Sequence, residues 1–564
     1  MPSDVELYAR TYTTLLRSRG ETKLKILEPS HRAMGSSLHP LADSDELDLG
    51  AFLYATQRLP AKIYQGRVVI MGQEAEQFAA AGIDFSEDWP IVESPARRRR
   101  WHEGPDGQWA VLLSSTSDVD DLVPTLVAYQ IEWNKLHRRL NAIGWPRPHG
   151  LPGAEECARA LGGSIEDWDR LQEAWGTAFA RRLGEVAQSD LSLRVRMLGG
   201  SQVSYARMTR RWWSPIAHEL DRDGLKDAPL YFVSSNTHSL VNLLSADARA
   251  REGELVDWVE RAGPKDLRDE LRLFREDRTN GSWENFLYFL SREHATAVPD
   301  AENRRTNAET GVGIKHLSSK TALRVATQIM PLAKLDPGRM DARLGDVDTD
   351  ALRSSGAVIV NVDYPLGLAA YNILREITED RDTLRGVYVL GKAATLNADV
   401  GDVMISNTVY DEHSGTTYWL DNAFDFDDIA PYLRFGSGLD NQRAVTVRST
   451  FLQNRDYLDL YYREAFTVVE MEAGPYCDAV YELTEADRYP AGGQVNMSKL
   501  PIDFGIVHYA SDTPYTQART LGARGMSYYG MDSTYATSIA ILRRIFQQEG
   551  VLAGERAPAL QPGA

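Results

Sequence analysis

The chain has 564 residues, 43% hydrophobic and 25% charged, which is too long for one compact core and ordinary in balance for a soluble globular protein. Asp and Glu outnumber Lys and Arg 80 to 62, a net charge of −18, which argues against general binding to nucleic acid but leaves room for a small anion in a locally basic pocket. The two cysteines, Cys157 and Cys477, lie far apart without metal-ligand spacing, so no disulfide framework, metal site or cofactor is expected.

The opening residues MPSDVELYARTYTT lack the apolar core of a signal peptide, and no uncharged apolar run reaches the roughly 18 residues of a spanning helix. A cytoplasmic protein with no membrane partner is the expectation. In the first half, apolar β-rich runs at Arg67–Met71, Trp109–Leu113 and Leu230–Val233 predict strands. Two of them lead into small polar residues and an amphipathic stretch, VLLSSTSDVDDLV and YFVSSNTHSLVNLL, the look of a strand–turn–helix unit. Arg97–Arg100 reads as a solvated basic loop, and the polar SSNTHS at 234–239 as ordinary helix capping or an anion cradle. Helical patterns cover Leu122–Leu140, Ser164–Ala187 and Leu317–Leu332.

The polar stretch 335–350, with Pro337 and Gly338, predicts a domain boundary near 345. Residues 1–345 would form an α/β-plus-helical region that regulates, oligomerises or narrows specificity, and residues 346–564 a catalytic α/β domain. In the second part, AVIVNV at 357–362, GVYVL at 386–390, VGDVMIS at 400–406, Gln442–Val447, Thr467–Val469 and GIVHY at 505–509 read as strands of a mostly buried central sheet. A closing helix carries Tyr535, Ile539, Leu542 and Phe546 on one face. Ligands of such sheets bind where polar residues converge at strand ends.

Three segments fall in order: GKAATLNADVGDVMIS at 391–406, VVEMEAG at 468–474 and HYASDTP at 508–514, with Glu472 and Asp512 40 residues apart. Together they resemble the purine nucleoside phosphorylase and nucleosidase superfamily, in wording most like its AMP nucleosidase branch, over about residues 355–549. The resemblance implies cleavage of the N-glycosidic bond of a purine nucleotide or nucleoside, and a homo-oligomer. It makes Asp512 the acid at the departing purine, with help worth roughly 10²–10⁴-fold. It gives Glu472 the ribose hydroxyls, since one carboxylate accepts two such bonds, and packs Met471 along the sugar. Gly391 and Lys392 would line the site, Ser511 would flank the acid, and Phe451 would stack on the base, with Arg448 as a 5′-phosphate ligand. His413 lies in a region that often reaches a neighbouring subunit's site.

Structural alternatives stay open: Asp512 capping a loop, the glutamates binding an arginine, Phe451 in a core, and His413 in a loop. In an extended strand Glu470 and Glu472 point to the same side, which makes Glu470 a second candidate ligand. Lys392 either binds phosphate or pairs with a glutamate. The arginines that phosphorylases use for phosphate are missing, with Tyr388, Val389 and Leu390 at one of the places, and this favours water as nucleophile. Asp363, at the end of the first strand, is the candidate base for that water, or a turn aspartate before Pro365. A phosphate-dependent phosphorylase and a nucleotide sensor without turnover are the rival readings.

Overall fold

Strand residues that are apolar on both faces need cover on both sides, and the chain builds two such sheets. The structure is a computed structural model. It describes residues 4–18, 20–85, 89–94, 96–145, 153–199, 202–484, 492–513, 519–520 and 528–552, without the side chains of Arg97, Arg98, Gln202, Asp512, Arg519, Thr520, Tyr528 and Tyr529.

The smaller sheet contains β1 (Thr22–Lys23), β2 (Val68–Gly72), β3 (Ile91–Ser94), β4 (Arg97–Glu103), β5 (Gln108–Leu112) and β6 (Arg194–Met197), in the order β1-β6-β2-β5-β4-β3. Its central β6, β2 and β5 are parallel. The larger sheet contains β7 (Leu230–Ser235), β8 (Lys315–Leu317), β9 (Thr327–Pro331), β10 (Val358–Asp363), β11 (Leu384–Thr395), β12 (Val403–Asp411), β13 (Thr416–Leu420), β14 (Gly438–Thr446), β15 (Val468–Glu470), β16 (Gln494–Met497), β17 (Asp503–Thr513) and β18 (Arg519–Thr520). The path runs β16-β13-β12-β14-β15-β11-β7-β10-β9-β8, with β17 joined to β11, β12 and β18. The architecture is mixed α/β, and the central strands are buried on both faces. Among the described residues no helix is long and apolar enough to cross a membrane.

Alternate residues of one strand enter different cores. Val68 and Ile70 of β2 share a core with Trp212 of the helix Gln202–Arg222 and with Val358, Val360 and Val362 of β10. Val69 and Met71 join Leu122 and Leu126 of the helix Thr116–Ala142. Tyr535, Ile539, Leu542 and Phe546 of the closing helix, Tyr528–Gln548, pack with Ile359 and Leu390.

Three expectations change. The boundary at 345 runs through one sheet and one core, because β7 from the first part is hydrogen-bonded between β10 and β11 of the second. The stretch 317–332 is no helix; its end forms β9, which pairs with β8 and β10, and that pairing outweighs local helix propensity. Arg97–Arg100 lies in β4 rather than a solvated loop. Arg99 is buried between Asp118 (2.7 Å) and Asp121 (2.6 Å), since a buried guanidinium needs carboxylate partners.

Candidate active site

The strands β10, β7, β11 and β17 run parallel; β10 and β7 end level with one another, and β11 and β17 run on past them to Thr395 and Thr513. Asp363 is level with Ser235, Val389 with Ser234, and Gly391 with His508. Beyond that row β15 approaches β11 from the opposite direction, with Val469 paired to Ala394. β15 therefore ends over the end of β7, and the chain turns there into the helix Ala473–Thr484. The carboxyl ends of parallel strands are the usual ligand position of open α/β sheets, so this end of the sheet is the candidate site.

Two glutamates at this turn have different jobs. Glu470 is buried, and one of its oxygens accepts the backbone N–H groups of Glu472 (2.6 Å) and Ala473 (2.7 Å) while the other accepts the Thr446 hydroxyl. It satisfies the free N–H groups that open a helix. Burial and then the charge of Glu472 push its carboxyl up to about 8. This corrects the expectation that Glu470 and Glu472 point the same way: the strand stops at Glu470, so alternation does not continue. Glu472 is partly buried, and its Oε1 accepts the Gly367 N–H at 3.1 Å. Met471 packs by the apolar cluster of Leu396, Val447 and Val469.

The glycine-bearing segment is strand rather than turn, because β11 continues to Thr395 with an irregularity between Ala393 and Ala394. Gly391 has to be glycine for packing: a Cβ there would stand 2.8 Å from the His508 ring. Lys392 is exposed on the same strand. Ser511 Oγ donates to the Ala393 carbonyl at 3.2 Å. The backbone of Asp512 lies in β17, paired with Ala394 on one side and Thr520 on the other, and its side chain lies outside the described residues. Asp363 is partly buried at the end of β10 and accepts the Tyr364 N–H at 3.0 Å.

Three expected ligands are engaged elsewhere. Phe451 is 1% exposed, with its ring centroid 5.2 Å from Tyr54, 6.1 Å from His31 and 6.3 Å from His39. It is a core residue between the two halves rather than a base-stacking surface. Arg448 donates to Asp120 at 3.2 Å, and Asp120 also accepts the Tyr12 hydroxyl at 2.5 Å, so its charge is already met. His413 bonds through Nδ1 to the buried Asp411 at 2.8 Å, within the turn after β12.

A buried polar network at the ends of β7 and β10 went unread in the sequence. Ser235 Oγ donates to Asn361 Oδ1 (2.7 Å), and Asn361 Nδ2 donates to the Asn236 carbonyl (2.9 Å) and Gln328 Oε1 (2.8 Å). Asn236 Oδ1 accepts the N–H groups of His238 and Ser239, so the capping reading of SSNTHS holds. His238 Nδ1 is 3.3 Å from the Tyr535 hydroxyl. Burial, then Arg292, Arg305 and Lys392, lower His238 to about 3, so the imidazole is neutral. Burial likewise lowers His508 to about 4. The strand-then-polar pattern at 230–239 was the available signal.

The fold is that of a mixed α/β protein with a candidate site at its strand ends. The chain belongs to a family of unknown function, DUF6909, whose model matches residues 24–547. No curated protein matches it by sequence. Among solved structures it is similar to a 5′-methylthioadenosine/S-adenosylhomocysteine nucleosidase from Neisseria meningitidis in complex with methylthio-immucillin-A, at 13% identity over 41% of this chain and 89% of that one, TM-score 0.27. The enzyme of the same name from Colwellia psychrerythraea, in complex with adenine, gives 12%, 43%, 89% and 0.27. A uridine phosphorylase from Schistosoma mansoni, in complex with thymidine, gives 10%, 60%, 92% and 0.29.

Proposed function

We propose that the chain hydrolyses the N-glycosidic bond of a purine nucleoside or nucleotide, with AMP or a related 5′-phosphate as the first substrate to test. One observation carries the reading. Ala394 is paired with both Val469 and Asp512, so the three motif segments, far apart in sequence, are neighbours at one end of one sheet. Glu472 follows Val469 by three residues, and its carboxylate meets the loop after β10 at Gly367.

In this mechanism Glu472 holds the ribose hydroxyls and stabilises the positive charge that develops on the sugar. Asp512 protonates the departing purine, which requires a carboxyl kept protonated near neutrality, and burial is the usual means. Asp363, at the end of β10, orients and deprotonates the attacking water. Assembly into a homo-oligomer belongs to the same reading.

The test is incubation of the full chain with a panel of purine nucleosides and 5′-nucleotides, with and without inorganic phosphate, scored by free base. Phosphate-independent release supports hydrolysis, and release only with phosphate replaces it with phosphorolysis. No release in either condition, with tight nucleotide binding, would leave a sensor. Asp512→Asn should lower the rate by roughly 10²–10⁴-fold.

A further inference from the structure

We propose that Ser117, in the first turn of the helix Thr116–Ala142, is a positioning residue for Glu472, and that the first half of the chain thereby completes the candidate site. The inference rests on the nucleoside-cleaving reading above.

Three consecutive loop residues are tied one by one. Ser115 Oγ donates to the Leu366 carbonyl at 3.4 Å, Ser117 Oγ accepts the Leu368 N–H at 2.9 Å, and the Gly367 N–H between them goes to Glu472 Oε1 at 3.1 Å. Gly367 has φ of +53°, the left-handed conformation that favours glycine. A Cβ at Gly367 would also overlap the Ser117 side chain, whose Cβ would be 2.7 Å away. The loop therefore lies tight against the helix start, and the Gly367 N–H meets the carboxylate.

The helix start is itself held. Asp118 accepts the N–H groups of Ser114 (2.6 Å) and Ser115 (3.3 Å), and Arg99 on β4 clamps Asp118 and Asp121. Ser115 and Ser117 are fully buried, so the bonds they make have no competing water. A line of contacts thus runs from the small sheet through Arg99, Asp118 and Ser117 to the loop and ends on Glu472. A carboxylate that must meet two sugar hydroxyls gains from a fixed donor on one oxygen, because misplacement of a reacting group is costly in rate.

Removing the Ser117 hydroxyl leaves the partly buried Leu368 N–H without its acceptor and frees the loop, so Gly367 withdraws from Glu472. The experiment compares full-length wild type, Ser117→Ala, Glu472→Ala and the double variant, with AMP and 2′-deoxy-AMP as substrates and backbone amide exchange as a second readout. Ser117→Ala should lower kcat/KM for AMP about tenfold, with little further loss in the Glu472→Ala background and a smaller effect on the deoxy substrate. Amide exchange at Gly367 and Leu368 should quicken in Ser117→Ala, and at Gly367 alone in Glu472→Ala. Equal losses from Ser117→Ala with and without Glu472, or a Gly367 amide as protected in Ser117→Ala as in wild type, would overturn the proposal. If wild type releases no base, the nucleoside reading falls while the exchange data still decide the coupling. If Ser117→Ala fails to fold, Glu472→Ala still decides, because an unchanged Gly367 amide there overturns it.

Discussion

Glu470 accepts the backbone N–H of Glu472 at 2.6 Å, so one glutamate of the pair fixes the main chain from which the other projects. Its carboxyl is raised from an ordinary 4.5 to about 8, by burial first and then by Glu472. The native state therefore holds a proton that the unfolded chain has released between those values. The stability from this group is fully present below about 4.5 and is lost as pH rises through about 8. A glutamine mimics the protonated acid: its carbonyl oxygen can accept the two N–H groups while its NH2 faces the Thr446 hydroxyl. Glu470→Gln should fold with near wild-type stability at pH 5 and lose less than wild type toward pH 8, read by urea unfolding across that range. Parallel stability curves for the two proteins would refute the assignment.

Phe451 distinguishes two uses of an aromatic residue. As a core residue among Tyr54, His31 and His39 it carries stability, and Phe451→Ala should cost about 3–5 kcal/mol in chemical denaturation. A base-stacking residue would leave stability nearly unchanged and raise KM, and that outcome would restore the expectation the fold displaced.

What could be read in advance follows from where each cause lies. The segments that carry Glu472, Ser511 and Asp512 contain the strand and the small residues locally, so the meeting of those segments at one end of the sheet was legible. Phe451 and Arg448 were misplaced because their partners, His31, Tyr54 and Asp120, lie more than 300 residues earlier and no local pattern joins them. Residues 327–331 became a strand only because β10 offered an edge, and a helical spacing of apolar residues says nothing of that edge. The boundary near 345 failed for the same reason, since turn-forming residues mark a loop and do not tell whether one sheet continues across it.

The Arg448–Asp120 contact joins the halves, and Asp120 also takes the hydroxyl of the buried Tyr12. Asp120→Ala leaves a phenol and a largely enclosed guanidinium without their acceptor. A loss of about 2–3 kcal/mol is expected, below the value for a fully buried pair because the Arg448 side chain is 31% exposed. Arg448→Met alone removes one donor and leaves Tyr12 paired, so it should cost less. In a double-mutant cycle the two changes should be non-additive, with the double variant recovering part of the Asp120→Ala loss. Additive costs would show that the residues do not act as a pair.

His238 supplies the last test, because under the proposed function its charge state bears on the binding of a nucleotide phosphate. Burial, with Arg292, Arg305 and Lys392 nearby, holds it down at about 3 against an ordinary 6.5. The unfolded chain therefore binds a proton at His238 that the native state refuses. Stability from this group is present above about 6.5 and is lost as pH falls toward 3. Replacement by glutamine should flatten the acid limb of the stability curve between those values. The ring resonances of His238 in the folded protein should stay at their neutral positions from pH 8 to pH 5. An imidazole that titrates near 6.5 would instead add a cation beside Lys392 near neutrality, and affinity for a 5′-phosphate would then rise as pH falls through 6.5. With the ring neutral, nucleotide affinity should be independent of His238 ionisation over that range, and isothermal titration of AMP at pH 5.5 and 7.5, corrected for the phosphate's own ionisation, separates the two cases.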